Sequence, residues 1–506
     1  MRTLIAAIDQ GTTSTRCIIY ADDFSKIASA QREHGQSLPG PGLVEHDALE
    51  ILANTEVVIR EALAAADVQG GELAAVGITN QRETFLLWDR ATGEPCAPAI
   101  VWQDARSREL CVELEADPRS AELAARTGLP ISTYFSGPKL AWLLRERPDL
   151  RAAAERGELC FGTMESWLIW NLSGGPAGGV HVTDATNACR TFLVDIERGA
   201  WDDELLDWMD IPASILPRIV VNAQTGGWAL TKSDGPFGAA IPLCGAIGDQ
   251  QAALVGQRCF EVGDAKNTYG TGCFLLWNTG KNLVRSHAGL LSTVAYQFPG
   301  EAPCFALEGS VAVAGSLIQW LRDQLRMIDS ASEIEALALS VPDHGDVHIV
   351  PAFGGLFAPH WRPDARGVIC GLTHHSNRAH IARAALESTA FQVREVIDAM
   401  REDTGVQLSS LRVDGGMAAN DLLLQFQSDL LGVPVERGPD LESTALGAAT
   451  MAALAEGLCP DRETLRAARR TERSFAPACS REHAESRMRG WHKAVARSLD
   501  WVDPTG

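Results

Sequence analysis

Residues 8–16 combine a carboxylate, several hydroxyls and an arginine within one short stretch, Ile-Asp-Gln-Gly-Thr-Thr-Ser-Thr-Arg. Apolar segments on both sides predict two strands, at residues 3–8 and 16–20, with Gly11 permitting a tight turn between them. Backbone N–H groups and hydroxyls at such a turn can hold phosphate oxygens, and Asp9 is placed to hold Mg²⁺. The stretch therefore indicates polyphosphate binding, although the same residue types also form ordinary β-turns.

A second turn with glycines and hydroxyls is predicted at residues 266–272, Lys-Asn-Thr-Tyr-Gly-Thr-Gly, next to a strand at residues 274–277. Neither a Walker A motif nor the motif set of the protein kinases occurs in the sequence. A phosphate site in this protein must therefore be built from the two hydroxyl-rich turns, with backbone N–H groups as the main donors.

Asp249 is the candidate general base. It begins a predicted helix in the segment Gly-Asp-Gln-Gln-Ala-Ala-Leu, residues 248–254. A carboxylate at this point could accept the proton of an attacking substrate hydroxyl, or it could simply cap the helix N-terminus. The two interpretations are compatible, because the helix dipole favours the ionised carboxylate.

The remaining chain alternates between predicted strands and helices, which is typical of layered α/β domains. A helix at residues 47–66 has Asp47 and Glu50 in the pattern of a capping box. We expect its apolar face to consist of Leu49, Leu52, Ile59 and Leu63. Further strands are predicted at residues 74–79, 83–88 and 411–413, and further helices at residues 379–403, ending at Gly405, and in the segment ending near Gly432.

Each half of the chain carries a strand and a turn with hydroxyls, which suggests two related lobes facing each other across a cleft. A chain of 506 residues is too long for one typical core, and we expect two large domains. The predicted domains are residues 1–256 and 257–506, with the boundary near residues 254–260.

Composition describes an ordered globular protein, with 46% aliphatic and aromatic residues and 22% charged residues. The formal net charge of −21 opposes binding to nucleic acid or to an anionic membrane surface. We expect no membrane insertion, since no apolar run approaches a membrane span and the one before Asp9 is too short for a signal-peptide core. Twelve cysteines without a Cys-x-x-Cys pair indicate reduced thiols, so we expect a cytoplasmic protein.

Several blocks of the sequence resemble the FGGY family of carbohydrate kinases and, within it, the glycerol kinase branch, in order and spacing. These blocks are Asn-Gln-Arg-Glu-Thr at 80–84, Ile-Val-Trp-Gln at 100–103, Tyr-Phe-Ser-Gly at 134–137, Gly-Asp-Gln-Gln at 248–251 and the segment 266–274, with broader family patterns at 134–142 and 367–387. The first turn resembles the phosphate loop of the sugar kinase, Hsp70 and actin superfamily. The resemblance implies an α/β fold of two ribonuclease H-like lobes that face a central cleft for nucleotide and substrate.

The same resemblance implies transfer of phosphate from ATP to glycerol, giving sn-glycerol 3-phosphate, with Mg²⁺ as cofactor and Asp249 as the base. The residues implied for glycerol are Arg82, Glu83, Trp102, Tyr134, Asp249, Gln250 and Phe274. Those implied for the nucleotide are Thr12, Thr13, Ser14, Arg16, Thr271, Gly315, Gln319, Gly416 and Asn420. Asp9, through water, and Asp249 are implied as Mg²⁺ ligands. We expect closure of the lobes to bring Asp9, Asp249 and Thr271 together.

Taken singly, several of these residues also fit purely structural roles. They are Trp102 and Phe274 as core aromatics, Arg82 with Glu83 as a solvated surface pair, and Gly315 with Gln319 in close helix packing. Two other functions stay open as well: a kinase of another polyol or a pentulose, and a non-catalytic nucleotide-dependent scaffold or actin-like filament. The block at residues 80–83 disfavours a kinase of another polyol or a pentulose. A base for the substrate hydroxyl, Asp249, argues against the scaffold or filament. The resemblance also implies a homo-oligomer, either a dimer or a tetramer.

The sequence departs from the family pattern at residues 353–361. Phe-Gly-Gly-Leu-Phe-Ala-Pro-His-Trp stands where Phe-Thr-Gly-Leu-Gly-Ala-Pro-Tyr-Trp is usual, so the differences are at Gly354, Phe357 and His360. We expect cleft packing or nucleotide affinity to differ there. A loop of glycines and lysine that is linked to control by fructose 1,6-bisphosphate in some relatives is not visible around residues 226–238.

Overall fold

A computed structural model describes residues 3–459 and 461–502. The strands of the first half are β1 (Leu4–Gln10), β2 (Ser14–Ala21), β3 (Lys26–Glu33), β4 (Glu45–His46), β5 (Leu73–Asn80), β6 (Phe85–Asp89), β7 (Ala99–Ile100), β8 (Leu159–Thr163), β9 (Val182–Asp184), β10 (Val194–Asp195), β11 (Ala200–Trp201), β12 (Arg218–Val220), β13 (Ala229–Leu230) and β14 (Pro242–Gly248). Its helices are α1 (Ala48–Ala66), α2 (Arg108–Glu115), α3 (Ser120–Thr127), α4 (Ser136–Glu146), α5 (Pro148–Glu155), α6 (Met164–Ser173), α7 (Ala185–Ala188), α8 (Asp203–Trp208) and α9 (Asp249–Gly256).

The second half begins its regular structure at Ala265. Its strands are β15 (Ala265–Tyr269), β16 (Cys273–Gly280), β17 (Leu291–Tyr296), β18 (Cys304–Val311), β19 (His348–Val350), β20 (Val368–Cys370), β21 (Leu411–Asp414), β22 (Val435–Arg437) and β23 (Arg473–Phe475). Its helices are α10 (Gly315–Asp323), α11 (Glu333–Leu339), α12 (Arg378–Thr404), α13 (Asp421–Leu431), α14 (Ser443–Ala455), α15 (Arg462–Ala467) and α16 (Arg481–Ser498).

The two large sheets share one topology. The first has the strand order β13-β14-β5-β1-β2-β3, and the second has the order β17-β18-β16-β15-β21-β22-β23. In the first sheet β1, β2 and β3 are antiparallel neighbours, while β5 and β14 run parallel to β1. In the second sheet β15, β16 and β18 are antiparallel neighbours, while β21 and β22 run parallel to β15. The predicted pair of related, ribonuclease H-like α/β lobes is therefore confirmed.

Most predicted elements are confirmed, since their local patterns are strong. The segment around Gly11 forms the predicted hairpin of β1 and β2, and the predicted strands appear as β5, β6, β16 and β21. Helix α12 ends at Gly405, whose φ of 66° is the left-handed conformation that terminates many helices. Helix α13 ends at Gly432 in the same way, with a φ of 69°.

The apolar face predicted for α1 was partly wrong. Asp47 caps the helix as predicted, but the Glu50 carboxylate accepts a hydrogen bond from the N–H of Gly35 instead of completing a capping box. Leu49 is 46% exposed, and Leu52 is half-buried. The buried face consists of Ala48, Ile51, Thr55, Val58, Ile59, Ala62 and Leu63, which follow the helical period more closely.

The halves meet through helices α9 and α14, which pack against each other although the chain places them in different halves. Glycines allow α14 to approach closely: a methyl group at Gly447 of α14 would overlap the carbonyl of Ala252 of α9, and one at Gly245 of β14 would lie 2.7 Å from the backbone nitrogen of Ala452 of α14. Buried side chains of both halves also form one cluster here, including Ile5 and Leu276. Helix α14 therefore covers the first sheet, across the predicted boundary at residues 254–260.

None of the helices in the described ranges has the length and apolar character needed to cross a membrane. All twelve cysteines lie in those ranges as free thiols, and most are buried.

Candidate active site

Parallel strands of the first sheet end at one edge, which faces the second half. In their register Gln10 of β1 and Gly248 of β14 both pair with Asn80 of β5. Asp9 therefore lies near the same edge as Asp249, which directly follows β14. Because the carboxyl ends of parallel strands coincide, residues far apart in the sequence meet here.

Asp249 is the first residue of α9, and its N-cap is Gly248. The N-cap interpretation of Asp249 was therefore wrong: β14 stays extended through Gly248, and the helix already includes Asp249 as its first residue. The carboxylate accepts a 2.7 Å hydrogen bond from the N–H of Gln250 and lies 3.2 Å from Arg82 Nε. Its side chain is 28% exposed, so a substrate can reach it. Burial raises the pKa of Asp249, while Arg82 and Lys266 oppose the rise.

A cavity of about 80 Å³ lies beside Asp249. It is far smaller than the roughly 300–1,000 Å³ of pockets for drug-sized ligands. Its lining consists of Thr12, Arg82, Glu83, Trp102, Tyr134, Asp249, Gln250 and Phe274. The structure thus brings together every residue predicted for the polyol, and it adds Thr12 from the first turn.

Aromatic rings form one wall of this cavity. The Trp102 ring makes edge contacts with Tyr134 and Phe274, at centroid distances of 5.7 and 6.4 Å. Trp102 also donates from Nε1 to the Thr12 hydroxyl, at 3.1 Å. Trp102 and Phe274 are only half-buried, so the alternative that they are core aromatics was wrong.

Arg82 and Glu83 are buried, each with 2% of its surface exposed, so the alternative of a solvated surface pair was wrong. Arg82 donates to both carboxylate oxygens of Glu308, at 2.5 and 2.9 Å, and Arg190 donates to the same carboxylate at 3.0 Å. Arg190 also donates to Glu83 at 2.6 Å. Burial alone would raise the pKa of Glu308, but Arg190 and Arg82 outweigh it and lower this pKa to about 2. Two guanidiniums and two carboxylates therefore balance each other inside the protein.

The first hydroxyl-rich turn follows β1. Gly11 donates its N–H to the carbonyl of Ser14 at 2.9 Å, which closes the turn. Thr13 is exposed, and the Ser14 hydroxyl accepts a hydrogen bond from Gln31. Arg16 donates to Gln31 and forms an ion pair with Glu442 of the second half. Arg16 is thus at the cleft, with a carboxylate from the opposite half as its partner.

The second turn, residues 270–272, joins β15 to β16. Gly270 donates its N–H to the carbonyl of Gly272 at 2.9 Å, and Thr271 is exposed. Gly315 at the start of α10 donates its N–H to the carbonyl of Gly270 at 3.0 Å. A methyl group at Gly315 would lie 2.6 Å from the same carbonyl, so this glycine is required by close approach to the turn. Packing therefore explains Gly315 at least as well as contact with a ligand.

The other residues predicted for adenosine lie on α10 and in the segment that leads into α13. Gln319 is exposed on α10, and Gly416 is exposed with open space where a methyl group would stand. Asn420 caps α13 through a 2.8 Å hydrogen bond from the N–H of Leu423. A second close approach in this region occurs at Gly415, whose φ is 87° and which packs on the carbonyl of Tyr269.

Asp9 and Asp249 are the residues whose chemistry fits Mg²⁺. Burial raises the pKa of Asp9 to about 6; Arg16 opposes this rise, and the nearby Asp249 adds to it. Within residues 3–459 and 461–502, no group of three or more His, Cys, Asp or Glu side chains is arranged as metal ligands. Mg²⁺ commonly binds one or two carboxylates and completes its shell with water and substrate phosphates, so this pair of carboxylates fits it.

Three charged residues of the site were missed from the sequence: Glu308, Arg190 and Lys266. Lys266 is completely buried and donates to Gln250 Oε1 at 2.6 Å. Glu308 stands alone among apolar residues in β18, and a single acid in such a strand indicates a buried partner. That pattern could have flagged Glu308, but it could not have identified Arg82 as the partner.

The residues that depart from the family pattern lie in the second half. His360 Nε2 lies 3.2 Å from a carboxylate oxygen of Glu395, and this neighbour raises the pKa of His360. Phe357 stacks on Trp361, and both rings are more than one-third exposed. Gly354 has open space at its methyl position.

Family models match both halves of the chain. The model of the N-terminal domain of the FGGY family of carbohydrate kinases matches residues 4–256, and that of the C-terminal domain matches residues 265–456. The glycerol kinase of Beijerinckia indica subsp. indica is 52% identical over 504 residues, which cover 99% of each chain. The glycerol kinase of Rhizorhabdus wittichii is 54% identical over 503 residues, covering 99% of this chain and 98% of the relative.

Solved structures of kinases are also similar to this chain. The crystal structure of Plasmodium falciparum glycerol kinase with ADP superimposes with a TM-score of 0.92 at 38% identity, covering 98% of both chains. The xylulose kinase of Rhodospirillum rubrum, at 23% identity and a TM-score of 0.84, shares the fold and covers 98% of both chains. The family models span the turns, the edge of the first sheet and β18. The chain therefore belongs to the FGGY family of carbohydrate kinases.

Proposed function

We propose that this protein is a glycerol kinase, which transfers the γ-phosphoryl group of ATP to glycerol and forms sn-glycerol 3-phosphate. Full-length similarity to glycerol kinases supports the activity. The single observation that carries the proposal is the cavity of about 80 Å³, which has Asp249 in its wall. It offers a small polyol several charged and polar partners in little space.

Selectivity for glycerol follows from this lining. A polyol has little apolar surface, so a site recognises it by pairing each hydroxyl, and it rejects analogues that leave a buried polar group unpaired. Arg82, Glu83, Tyr134 and Gln250 are suitable partners for hydroxyls. A pentulose would need a larger cavity, and a nucleotide-dependent scaffold would need none.

Asp249 is proposed as the general base that accepts the proton of the attacking hydroxyl. Its partial exposure and its position at the edge of the cavity support this role. Trp102 and Phe274 exclude water from the polyol, and water is the competing nucleophile.

For the nucleotide, we propose that the turns at residues 12–14 and 270–272 hold the phosphates, with Arg16 beside the first. Adenosine would lie near Gly315, Gln319, Gly416 and Asn420. Asp9 and Asp249 would hold Mg²⁺, which neutralises phosphate charge when bound. We also retain the prediction that the lobes close around the substrates, which X-ray scattering with and without glycerol and a nucleotide analogue would test.

The free, mostly buried thiols support a cytoplasmic protein. A homo-oligomer, either a dimer or a tetramer, remains our expectation, and light scattering of the purified protein would test it.

Glycerol-dependent ADP release tests the proposal. The purified protein with Mg-ATP should release ADP fastest with glycerol, compared with other polyols and with pentuloses. Asp249→Asn should lower this rate by about 10²- to 10⁴-fold while glycerol and nucleotide still bind. Turnover of a different polyol alone would reject glycerol, and the absence of turnover with every substrate would favour the scaffold.

A further inference from the structure

Glu308 belongs to β18 in the second half, yet its carboxylate is the main partner of Arg82 in the first half. The two residues are 226 positions apart in the chain, and neither is accessible to solvent beyond 2%. Glu308 does not line the cavity beside Asp249. Any effect of Glu308 on a ligand in the cavity must therefore be transmitted by the residues that line it.

The hydrogen bonds to Glu308 determine which nitrogen of Arg82 remains available to a ligand in the cavity. Its oxygens accept from both terminal nitrogens of the guanidinium, and Gln251 accepts from one of them at 3.2 Å. Arg82 Nε is buried, has no hydrogen-bond partner among the described residues, and lies 3.2 Å from Asp249. A bidentate pair holds a guanidinium in one plane, so Nε is kept on the cavity side.

Arg190 extends this arrangement to Glu83. It donates to Glu308 with one nitrogen and to Glu83 with another, and its side chain is completely buried. Glu83 has a φ of 62°, which is an unfavourable backbone conformation for a residue with a side chain. Such a conformation persists only where contacts with neighbouring residues hold it in place. The Ser136 hydroxyl donates to the Glu83 carbonyl at 2.8 Å and helps to hold it.

We propose that Glu308 is a positioning residue for the polyol site: it holds Arg82, and through Arg190 it holds Glu83, so that both face the substrate hydroxyls. This inference rests on the proposed function. Without Glu308, the nearest carboxylate for Arg82 is Asp249, and Arg82 then turns toward the base and away from the polyol. The polyol site, which is lined by the first half except for Phe274, is thus complete only when β18 of the second half is in place.

Glu308→Gln tests the inference, because glutamine keeps the shape but removes the charge and one acceptor. We expect the KM for glycerol to rise about 10- to 100-fold, as on loss of residues that orient a ligand-binding group. The KM for Mg-ATP should stay near the wild-type value. In the background of Arg82→Ala, the same change should have a smaller effect on kcat/KM than in the wild type, because only the route through Arg190 to Glu83 then remains.

Glu387→Gln is the matched control. Glu387 on α12 is also 2% exposed and also pairs with two arginines, Arg383 at 2.6 Å and Arg487 at 3.2 Å. It lies outside the polyol cavity, so its loss should lower the melting temperature without raising the glycerol KM. Arg190→Lys serves as a second variant if Glu308→Gln does not fold. Lysine keeps the positive charge but lacks the planar guanidinium that donates to Glu83 and Glu308 together, so this variant should also raise the glycerol KM.

The inference is overturned if folded Glu308→Gln, or Arg190→Lys in its place, keeps the wild-type KM for glycerol. It is equally overturned if Glu308→Gln changes both KM values alike, since that would indicate general loosening. A wild type that phosphorylates another polyol instead of glycerol overturns only the proposed function, and the comparison is then made with that polyol. A wild type that turns over no substrate rejects both.

Discussion

Lys266 of β15 donates a 2.6 Å hydrogen bond to Gln250 of α9, and so joins a strand of the second half to a helix of the first half beside the cavity. The same ammonium donates to the Thr268 hydroxyl at 2.8 Å and to the Phe274 carbonyl at 3.2 Å, on both sides of the second turn. Burial lowers the pKa of Lys266 to about 8, opposed by Asp414 and Asp249, so the side chain remains charged at neutral pH. One buried lysine therefore links the cavity beside Asp249 to the turn at residues 270–272.

Replacing this cation should impair both sites. In Lys266→Met, Gln250 and Thr268 lose their donor, and we expect kcat/KM for glycerol to fall about 10- to 100-fold. Lys281→Met, at an exposed lysine just after β16, is the control and should behave as wild type. Steady-state kinetics with glycerol and Mg-ATP varied separately would measure the change. Normal kinetics of Lys266→Met would show that the contacts of Lys266 serve packing alone.

Trp102→Phe should reveal how the aromatic wall supports the first turn. An aromatic ring remains, but the hydrogen bond from Nε1 to Thr12 is lost, and its net value of about 0.5–1.5 kcal/mol predicts a decrease in kcat/KM of about two- to tenfold. Thr12→Val should cause a similar decrease, and the double variant should add little to either. Trp201→Phe, which loses a comparable bond to the Pro217 carbonyl outside the cavity lining, should leave the kinetics unchanged. Strictly additive effects would contradict the coupling.

Two glycines near the second turn should respond differently to alanine. In Gly315→Ala the methyl group would crowd the Gly270 carbonyl, so both the melting temperature and ADP affinity should fall. In Gly416→Ala the methyl group meets open space, so stability should be retained. If adenosine lies against Gly416, ADP affinity should still fall. Thermal unfolding and calorimetric titration with ADP separate these outcomes, and unchanged affinity in Gly416→Ala would move adenosine elsewhere.

Lys139 should make stability depend on pH. It is completely buried beneath the cavity wall, where it donates to the carbonyls of Val101 and Tyr134 at 2.9 and 3.3 Å. Burial lowers its pKa from 10.5 to about 7, although Glu83 and Asp104 oppose the shift. Between these values the unfolded chain binds more protons than the folded protein, so the free energy of unfolding should rise with pH.

Lys139→Met removes this contribution. The stability of the wild type relative to Lys139→Met should therefore increase between about pH 7 and 10, by at most about 1.4 kcal/mol per pH unit. Urea unfolding of both proteins across this range measures the difference, in which the titrating groups that do not interact with Lys139 cancel. A difference that stays constant with pH would mean that Lys139 is charged throughout.

The sequence determined the local parts of this protein. The hairpin around Gly11, helix α12 up to Gly405 and the position of Asp249 at the start of a helix follow from short patterns, because turns, caps and periodicity depend on neighbouring residues. The resemblance of short blocks also indicated every residue that lines the cavity, apart from the presence of Thr12 in its wall. The face of α1 was harder to predict, because Leu49 and Ile51 are both strongly apolar and only packing distinguishes them.

Only the tertiary structure decided which distant residues complete the site. The pairing of Arg82 with Glu308, the contact of Lys266 with Gln250 and the packing of α14 on the first sheet all join opposite halves of the chain. Such contacts depend on sheet register and on how two lobes meet, and neither leaves a periodic pattern in the sequence. The residues proposed for the chemistry could therefore be recognised from the local sequence, whereas the charges that hold them in place required the fold.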